Sequence, residues 1–218
     1  SSPAAPSDSP ARAPSLPPPA PILATLAGEP PRPAAPNAAD VSAPEPAAES
    51  DGRLATAFEA MPDLYFLPTP VAGLEFTIQL LSRLLPCEAI STCLYDINTD
   101  EFRFVALTGP GTFERRAGAI PSLAGLFGAA KRERGLDVFV VPDAAAEPRY
   151  DVQVDGRVGL AARTLAYVPV RNAGQLLGML QLINREDEKG FSQADVAILS
   201  YIGKQLGEFL AEKRALAE

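Results

Sequence analysis

Residues 162–210 read ARTLAYVPVRNAGQLLGMLQLINREDEKGFSQADVAILSYIGKQLGEFL, and this stretch decides the fold. It holds two apolar runs, residues 165–170 and 176–183, joined by Asn172-Ala173-Gly174. That tripeptide favours a turn, since Asn and Gly both tolerate positive φ. The second run is apolar on one face (Leu176, Leu180, Leu182) and on the other (Leu177, Met179, Ile183), which is typical of a central strand covered on both sides. Gly178 within it predicts a close approach by another backbone or a ligand.

The rest of the stretch predicts a long helix. Ser192 offers an N-cap oxygen, and Asp195 stands in the acidic position of a capping box. Apolar residues then cover so much of the helix that it must pack on the sheet and also meet another helix. That second helix is either the one predicted over residues 71–85 of the same chain or a helix of a second subunit in a homodimer. Gly203 and Gly207 would let a neighbouring helix approach closely.

The first 52 residues differ in composition from the rest. Fourteen of the 23 prolines and fourteen alanines lie within residues 1–50, so this segment buries too little apolar surface to offset its ordering entropy. We predict a disordered Pro/Ala-rich tail or linker over residues 1–52 and one globular domain over residues 53–218. Residues 21–26, PILATL, are either a docking motif for a protein partner or part of a spacer.

Charge and composition exclude several functions. A net charge of −8 argues against nucleic acid, because no basic face could neutralise several phosphates. No apolar run reaches the ~18 residues of a membrane span, and we expect a cytoplasmic protein. The lack of histidine excludes His-based triads, haem ligation through His and His-containing zinc sites, so we expect no metal or cofactor. Cys87 and Cys93 lack CxxC spacing, although a redox pair is an alternative.

Upstream of this stretch the pattern alternates between helices and strands. Helices are predicted over residues 53–61, 71–85 and 122–134, the last with Pro121 at its start, and strands over residues 89–97, 102–107 and 137–141. An irregular connection covers residues 144–159. The whole order predicts an α+β domain with one antiparallel sheet of five or six strands. The N- and C-terminal helices lie on one face and a ligand-sized connection on the other.

Several residues then recur in a recognisable order: Val141-Pro142-Asp143, Glu147-Pro148-Arg149-Tyr150, Val154-Asp155, Arg163-Thr164-Leu165, Val168-Pro169-Val170 and Leu182-Ile183-Asn184-Arg185. As an ordered set they resemble phosphodiesterase-type and bacterial GAF domains, small-molecule-sensing relatives of the PAS fold. The resemblance covers roughly residues 53–210. It implies a GAF/PAS-like sheet with a pocket between the sheet and residues 120–160.

Cyclic-nucleotide-binding GAF domains also carry a two-part signature. Its first part is Asn-Lys, and its second part, further along the chain, is Phe followed after three residues by Asp-Glu. Here Asn184, Phe191 and Asp195 match, whereas Arg185 replaces Lys and Val196 replaces Glu. An Arg185–Asp195 ion pair would still tie the loop to the start of the last helix. Because this signature is mainly a structural lock, the near-match supports the fold more than it supports a nucleotide ligand.

The candidate ligand-binding residues are polar groups expected to converge on that pocket: Asp143, Arg149, Tyr150, Asp155, Arg163 and Thr164, with Gln181 less favoured. Each also has an ordinary structural interpretation. Asp143 can cap the turn that follows it, Arg149 can pair with a nearby carboxylate on the surface, and Thr164 can be a strand-edge residue.

The resemblance also implies what the domain does. Bilin attachment or methionine sulfoxide reduction in related domains needs a cysteine in the pocket region, and neither cysteine lies within residues 120–160. The sequence therefore predicts a non-enzymatic sensory or regulatory GAF domain that binds a small molecule, a nucleotide among the candidates, and signals through its terminal helices. The alternative is a degenerate GAF domain that acts as a dimerisation or protein-interaction scaffold without ligand. A thiol-dependent reductase is a third hypothesis.

Overall fold

The computed structural model describes residues 47–109, 119–156, 160–187 and 189–216. Its α-helices are α1 (Ala47–Ala60), α2 (Pro70–Leu84), α3 (Gly125–Arg132) and α4 (Gln193–Ala215), and a 3₁₀ helix, Met61–Phe66, joins α1 to α2. Its strands are β1 (Cys87–Asp96), β2 (Glu101–Thr108), β3 (Ala119–Pro121), β4 (Phe139–Val141), β5 (Leu165–Asn172) and β6 (Gln175–Arg185). The first helix begins six residues earlier than predicted. The predicted tail, up to residue 46, lies outside the described residues.

The six strands form one antiparallel sheet in the order β3-β2-β1-β6-β5-β4. The apolar strand β6 lies in the middle, between β1 and β5, as its double-sided hydrophobic pattern predicts. Gly178 faces a backbone and not a ligand, because a Cβ placed there would lie 2.5 Å from the carbonyl oxygen of Cys93 on β1. The predicted α+β fold with a central antiparallel sheet is confirmed.

Two apolar layers cover opposite faces of the sheet. In the helical layer, α1, α2 and α4 pack on one face of the sheet. The buried side chains of this layer include Leu74, Leu81, Leu180, Ile202 and Phe209. In the second layer, which we call the α3 layer, α3 and the connections around it pack on the other face of the sheet. The buried side chains of this layer include Phe102, Phe127, Tyr167, Met179 and Ile183. The terminal helices thus share one face of the sheet, as predicted.

A bulge in β6 changes which residues share a face. Val170 pairs with Gly178 and Arg171 with Leu176, so one extra residue of β6 stands between the two pairs. Leu177 therefore belongs to the helical layer and Leu176 to the α3 layer. The strict alternation expected from the sequence is wrong at these two residues, because a bulge shifts the period of 2 by one.

The segment around Pro121 also differs from its prediction. Pro121 does not start a helix; it ends the short edge strand β3, where it pairs with Glu101. The helix begins only at Gly125, whose φ of +51° turns the chain into α3. Proline is tolerated in an edge strand because no neighbour needs its missing N–H, and this edge position could not be inferred from local sequence.

The hairpin between β5 and β6 is a two-residue turn. Asn172 pairs with Gln175, and positive φ occurs at Ala173 (47°) and Gly174 (80°). Two positive φ values identify a type I′ turn, whose twist suits a tight hairpin. The predicted turn is therefore present, although Ala173, and not Asn172, takes the left-handed conformation.

Most of the apolar surface of α4 is used within the chain. Leu206 and Phe209 are fully buried, and Gly73 of α2 leaves room for the Phe209 ring, since a Cβ at Gly73 would lie 2.1 Å from it. Gly203 and Gly207 approach β5 and not a helix, because their Cβ atoms would meet Val168 and the carbonyl oxygen of Arg171. The predicted homodimer through residues 71–85 and 192–216 stays a prediction, and Leu206 is fully buried within the chain.

Candidate functional site

A buried carboxylate lies at the start of α3. Both oxygens of Asp155 accept from the backbone N–H of Leu126 at 3.1 Å, and Oδ2 also accepts from the N–H of Asp151 at 2.9 Å. A helix N-terminus favours an anion because its first N–H groups lack intrahelical partners. Gly125 is required for this approach, since a Cβ there would lie 2.4 Å from Oδ2 of Asp155.

Three strand residues extend this group into the sheet. Tyr167 on β5 donates to Oδ1 of Asp155 at 2.9 Å, and Gln181 on β6 donates to the Tyr167 hydroxyl at 2.9 Å. Ser91 on β1 donates to the amide oxygen of Gln181 at 3.0 Å. All four side chains are almost completely buried, and we call them the Asp155 network. It runs across the three central strands within an otherwise apolar layer.

The network is built around an acidic group, the buried carboxyl of Asp155. Among the described residues no lysine or arginine forms an ion pair with Asp155, and burial raises the pKa of its carboxyl group. The N–H groups of Asp151 and Leu126 and the Tyr167 hydroxyl favour the charged form and oppose only part of that effect. Burial, followed by the charge of Asp155, raises the pKa of Tyr167 as well, so the tyrosine serves as a hydrogen-bond donor.

Aromatic rings fill the space around the network. Phe127 of α3 contacts Phe102 and Tyr167 with centroid distances of 5.4 and 5.1 Å, and Phe139 lies 6.4 Å from Tyr167. In the described part of the chain, the region between α3 and the sheet is therefore occupied by side chains. Cavities lie elsewhere: one of 690 Å³ between α1 and α2, one of 550 Å³ between α2 and β2, and one of 410 Å³ where the β1–β2 turn and β6 meet α4.

Two predicted site residues lie on the surface with local partners. Oδ1 of Asp143 accepts from the N–H groups of Ala145 and Ala146 at 2.9 and 3.4 Å, which makes it a turn cap. Arg149 binds Glu147 through Nε and Nη2 at 2.8 and 2.9 Å and lies over the Phe139 ring at 5.0 Å. Both side chains thus have the structural roles that the sequence also allowed.

Tyr150 lies between the surface and the Asp155 network. It is half-buried and packs against the α3 layer, and burial followed by the nearby charge of Asp155 raises its pKa. Its hydroxyl would be 3.1 Å from a Cβ at Gly156. Of the predicted residues, Tyr150, Asp155 and Gln181 are thus the ones that share this region.

Arg163 and Thr164 belong to a second polar group, centred on Asn184. Oδ1 of Asn184 accepts from the N–H groups of Arg163 and Thr164 at 2.7 and 3.1 Å, and its Nδ2 donates to Glu88 and to the carbonyl of Ala161, both at 2.9 Å. The Arg163 side chain is about half exposed (53%) and pairs with Glu88 at 2.7 Å. Asn184 has a positive φ of 54°, which Asn tolerates. This group fixes the chain entering β5 and occupies the backbone N–H groups of Arg163 and Thr164.

The predicted lock between the loop and the last helix is present. Ser192 and Asp195 form the capping box, with N···O distances of 3.0 and 3.2 Å. Nε of Arg185 lies 3.4 Å from Oδ2 of Asp195, which confirms the expected ion pair. Arg53 of α1 adds a second ion pair to Asp195 at 2.8 Å, a contact that no local pattern predicts.

Sequence reasoning missed a polar cluster at the far end of α3. Lys131 donates to Asp100 and Ser122, both at 2.6 Å, and to the Tyr95 hydroxyl at 3.1 Å. Ser122 and Tyr95 also donate to Asp100, and these three hydrogen bonds, with that of Lys131 first, hold the pKa of the Asp100 carboxyl well below its usual range. The only sequence signal was Lys131 near a helix C-terminus, since the other members lie up to 36 residues away.

The two cysteines lie in β1. Cys93 is fully buried, and burial raises the pKa of Cys87 to about 12, so the Cys87 thiol does not ionise readily near neutral pH. Within the described ranges no group of three or more His, Cys, Asp or Glu side chains could hold a metal ion. No helix in those ranges has both the length and the apolar character that crossing a membrane requires.

A family model described as GAF domain matches residues 74–211, more than half of the chain. This chain belongs to the GAF domain family. The match includes α3, the Asp155 network, the polar group around Asn184 and the Arg185–Asp195 ion pair, whereas Arg53 lies outside it. It ends within α4, so the helical layer belongs partly to the family fold.

Solved structures share the same GAF fold. The GAF domain of a phosphoenolpyruvate-protein phosphotransferase from Coxiella burnetii is 20% identical with a TM-score of 0.67, over 77% of this chain and 98% of that one. Free methionine-R-sulfoxide reductase from Neisseria meningitidis is 22% identical with a TM-score of 0.61, over 81% and 96%. A methyl-accepting chemotaxis protein segment is 18% identical with a TM-score of 0.63, over 72% and 98%. Similarity at this level establishes the fold alone.

Proposed function

We propose that this chain is a non-enzymatic regulatory GAF domain that binds a small molecule in the α3 layer and signals through its terminal helices. The observation that supports it is the Asp155 network, a set of hydrogen-bonding side chains in an otherwise apolar layer. Ligand sites in proteins combine apolar walls with a few convergent polar groups. The network also lies beneath connections that lack regular structure in their described parts, residues 142–156 and 160–164, which can rearrange at lower cost than a strand.

Side chains fill this layer, so a ligand can bind there only after part of the layer has moved. Because Phe127 and Tyr167 are fully buried, a ligand has to displace α3 or the connection that carries Asp155. In this proposal the described conformation is the unliganded one, and binding replaces contacts made by Asp155. A ligand that binds only the opened state pulls the equilibrium toward it by its differential affinity for the two states.

Binding can be tested by calorimetry on the full chain with a panel of cyclic mono- and dinucleotides, nucleotides, amino acids and small organic acids. A true ligand should lose roughly five- to twelvefold in affinity in Tyr167→Phe, because a buried hydroxyl contact contributes roughly 1–1.5 kcal/mol. Tyr201→Phe is the matched control: it makes the same chemical change on α4, where the ring packs on Phe58, and should leave affinity unchanged. Equal loss in both variants would contradict a site at the network.

A scaffold without ligand is the second candidate, and the filled α3 layer favours it. In that case no member of the panel binds, while the chain forms a dimer or a partner complex that does not respond to small molecules. Sedimentation at increasing protein concentration distinguishes the two candidates. The exposed apolar side chains Phe58, Phe66 and Val71 at the start of the domain are the positions at which we expect charged substitutions to weaken such an assembly.

The chain resembles a reductase in fold, and so catalysis needs its own test. Methionine sulfoxide reduction through a thiol should be measured in the unmodified chain and in Cys93→Ser. We expect no turnover in either, because Cys93 is buried in the sheet and burial raises the pKa of Cys87 to about 12. Activity that disappears in Cys93→Ser would contradict the non-enzymatic assignment.

A further inference from the structure

Arg171, near the end of β5, touches both layers of the domain. Its Nη2 donates to the carbonyl oxygen of Lys131 at 2.8 Å, in the last turn of α3. The carbonyls of a last helical turn lack intrahelical partners, so this guanidinium caps the helix and suits its dipole. Lys131 is itself fixed by its side chain to Asp100 and Ser122. Through Arg171, the end of α3 is therefore attached to β5.

The backbone of the same residue contacts α4 on the opposite face of the sheet. A Cβ at Gly207 would lie 2.1 Å from the carbonyl oxygen of Arg171 and 2.9 Å from its carbonyl carbon. Both of these atoms belong to the backbone, so the contact cannot relax by rotating a side chain. Gly203, one turn earlier, differs: its Cβ would meet Cγ1 of Val168 at 2.6 Å, and a side chain can move. At Gly207, the backbone of α4 therefore lies directly against the backbone of this end of β5.

Burying the Arg171 guanidinium is costly, so filling space does not by itself explain an arginine at this position. The Nε of Arg171 is buried and has no hydrogen-bond partner among the described atoms. Burial, followed by repulsion from Arg134, lowers the pKa of Arg171. An apolar side chain at the same position would avoid this desolvation cost. What Arg171 adds is the planar donor that reaches α3 while its own backbone holds α4.

We propose that Arg171 couples α3 to α4 across the sheet, so that displacement of α3 changes the packing of α4. This gives a physical route between the site region and the terminal helix. The purpose of the coupling rests on the proposed sensory function, whereas the coupling itself is present without any ligand. A failed ligand search would therefore leave it intact, and a failed coupling test would leave ligand binding open.

Hydrogen–deuterium exchange with mass spectrometry on the full chain tests the coupling from both ends. Gly207→Ala, made on α4, should raise the exchange rate of the α3 amides at residues 129–132 by about tenfold, within the usual range of coupling between sites. Arg171→Lys keeps the charge but loses the planar fork. It should raise exchange at residues 129–132 and also at residues 203–210 of α4.

Two control variants separate coupling from local damage. Gly203→Ala should affect α4 and spare residues 129–132, because its new methyl group meets only the side chain of Val168. Asp137→Asn removes an exposed ion pair between the α3–β4 connection and Lys204 of α4, while the amide oxygen can still accept from Ser200. It should change exchange in α3 by less than about twofold, since exposed ion pairs contribute little.

The proposal is overturned if Gly207→Ala alters only α4 and β5 while Arg171→Lys alters only α3. It is also overturned if either variant accelerates exchange equally in α2 residues 74–81, since that pattern means general destabilisation. If Gly207→Ala does not fold, Arg171→Lys decides alone: unchanged exchange at residues 203–210 contradicts the coupling. The variant that combines Gly207→Ala with Arg171→Lys gives a further check. If its unfolding equilibrium constant lies within about threefold of the value calculated by adding the two single effects on the free energy of unfolding, the coupling is contradicted as well.

Discussion

Asp155 and Asp195 are two buried aspartates, 1% and 0% exposed, and each lies at the N-terminus of a helix. Asp195 is paired with the guanidinium groups of Arg53 and Arg185. Asp155 accepts only uncharged donors among the described residues: two backbone N–H groups and the Tyr167 hydroxyl. The difference suggests different tasks. A carboxylate held by two cations stays in place, whereas one held by neutral donors can be protonated or replaced.

Asp195→Ala should have the largest effect on stability. It removes the capping box of α4 and takes away the buried carboxylate partner of the Arg185 guanidinium, so we expect a loss of roughly 3–5 kcal/mol in the free energy of unfolding. Urea denaturation measures it. Asp187→Ala is the control: Asp187 pairs with the same arginine from a partly exposed position, at 3.1 Å, and should cost under about 1 kcal/mol. Similar losses in the two variants would mean that Asp195 does not stabilise the attachment of the Arg185 loop to the start of α4.

Gly125→Ala should rank second and tests how closely Asp155 is held. Gly125 and Gly174 both have positive φ, +51° and +80°, but only a Cβ at Gly125 meets another group, Oδ2 of Asp155 at 2.4 Å. Gly174→Ala should therefore cost about 1 kcal/mol from backbone strain alone. Gly125→Ala should cost about 2–3 kcal/mol, because the Asp155 hydrogen bonds must also shift. The free energy of unfolding is measured by thermal or urea denaturation. Equal losses in Gly125→Ala and Gly174→Ala would show that the Asp155 side chain can move away from the new methyl group at no cost.

Asp155→Asn should have the smallest effect and a characteristic pH dependence. We expect a loss of about 1–2 kcal/mol, since a neutral amide keeps one acceptor at the helix N-terminus. Because burial raises the pKa of Asp155 in the folded state, its contribution to stability is fully present below the unfolded pKa, near about 4, and falls as pH rises through the folded value. The asparagine variant lacks this titration. The stability difference between the two proteins should therefore narrow as pH rises above about 4, and a widening difference would contradict the raised pKa.

The two aspartates also differ in how far the sequence revealed them. The role of Asp195 was predictable, because Ser192 lies three residues before it and the capping box is a local pattern. Its pairing with Arg185 followed from the family signature, whereas Arg53 is 142 residues away and left no trace in the sequence. Asp155 appeared only as one polar residue among six candidates. Tyr167 was absent from that set, since a tyrosine in an apolar strand pattern is indistinguishable from a core residue.

The sequence by itself determined the order of elements, the central position of β6, the terminal helices on one face and the capping box of α4. These depend on hydrophobic periodicity and on contacts within a few residues, which local patterns record. Only the tertiary structure decided the strand bulges, the edge position of Pro121 and the convergence of Ser91, Tyr167 and Gln181 on Asp155. The reason is physical: hydrogen bonds between distant residues depend on register and on which face of the sheet each side chain takes, and one bulge reverses that assignment. The Asp155 network could therefore be assembled only from the folded chain.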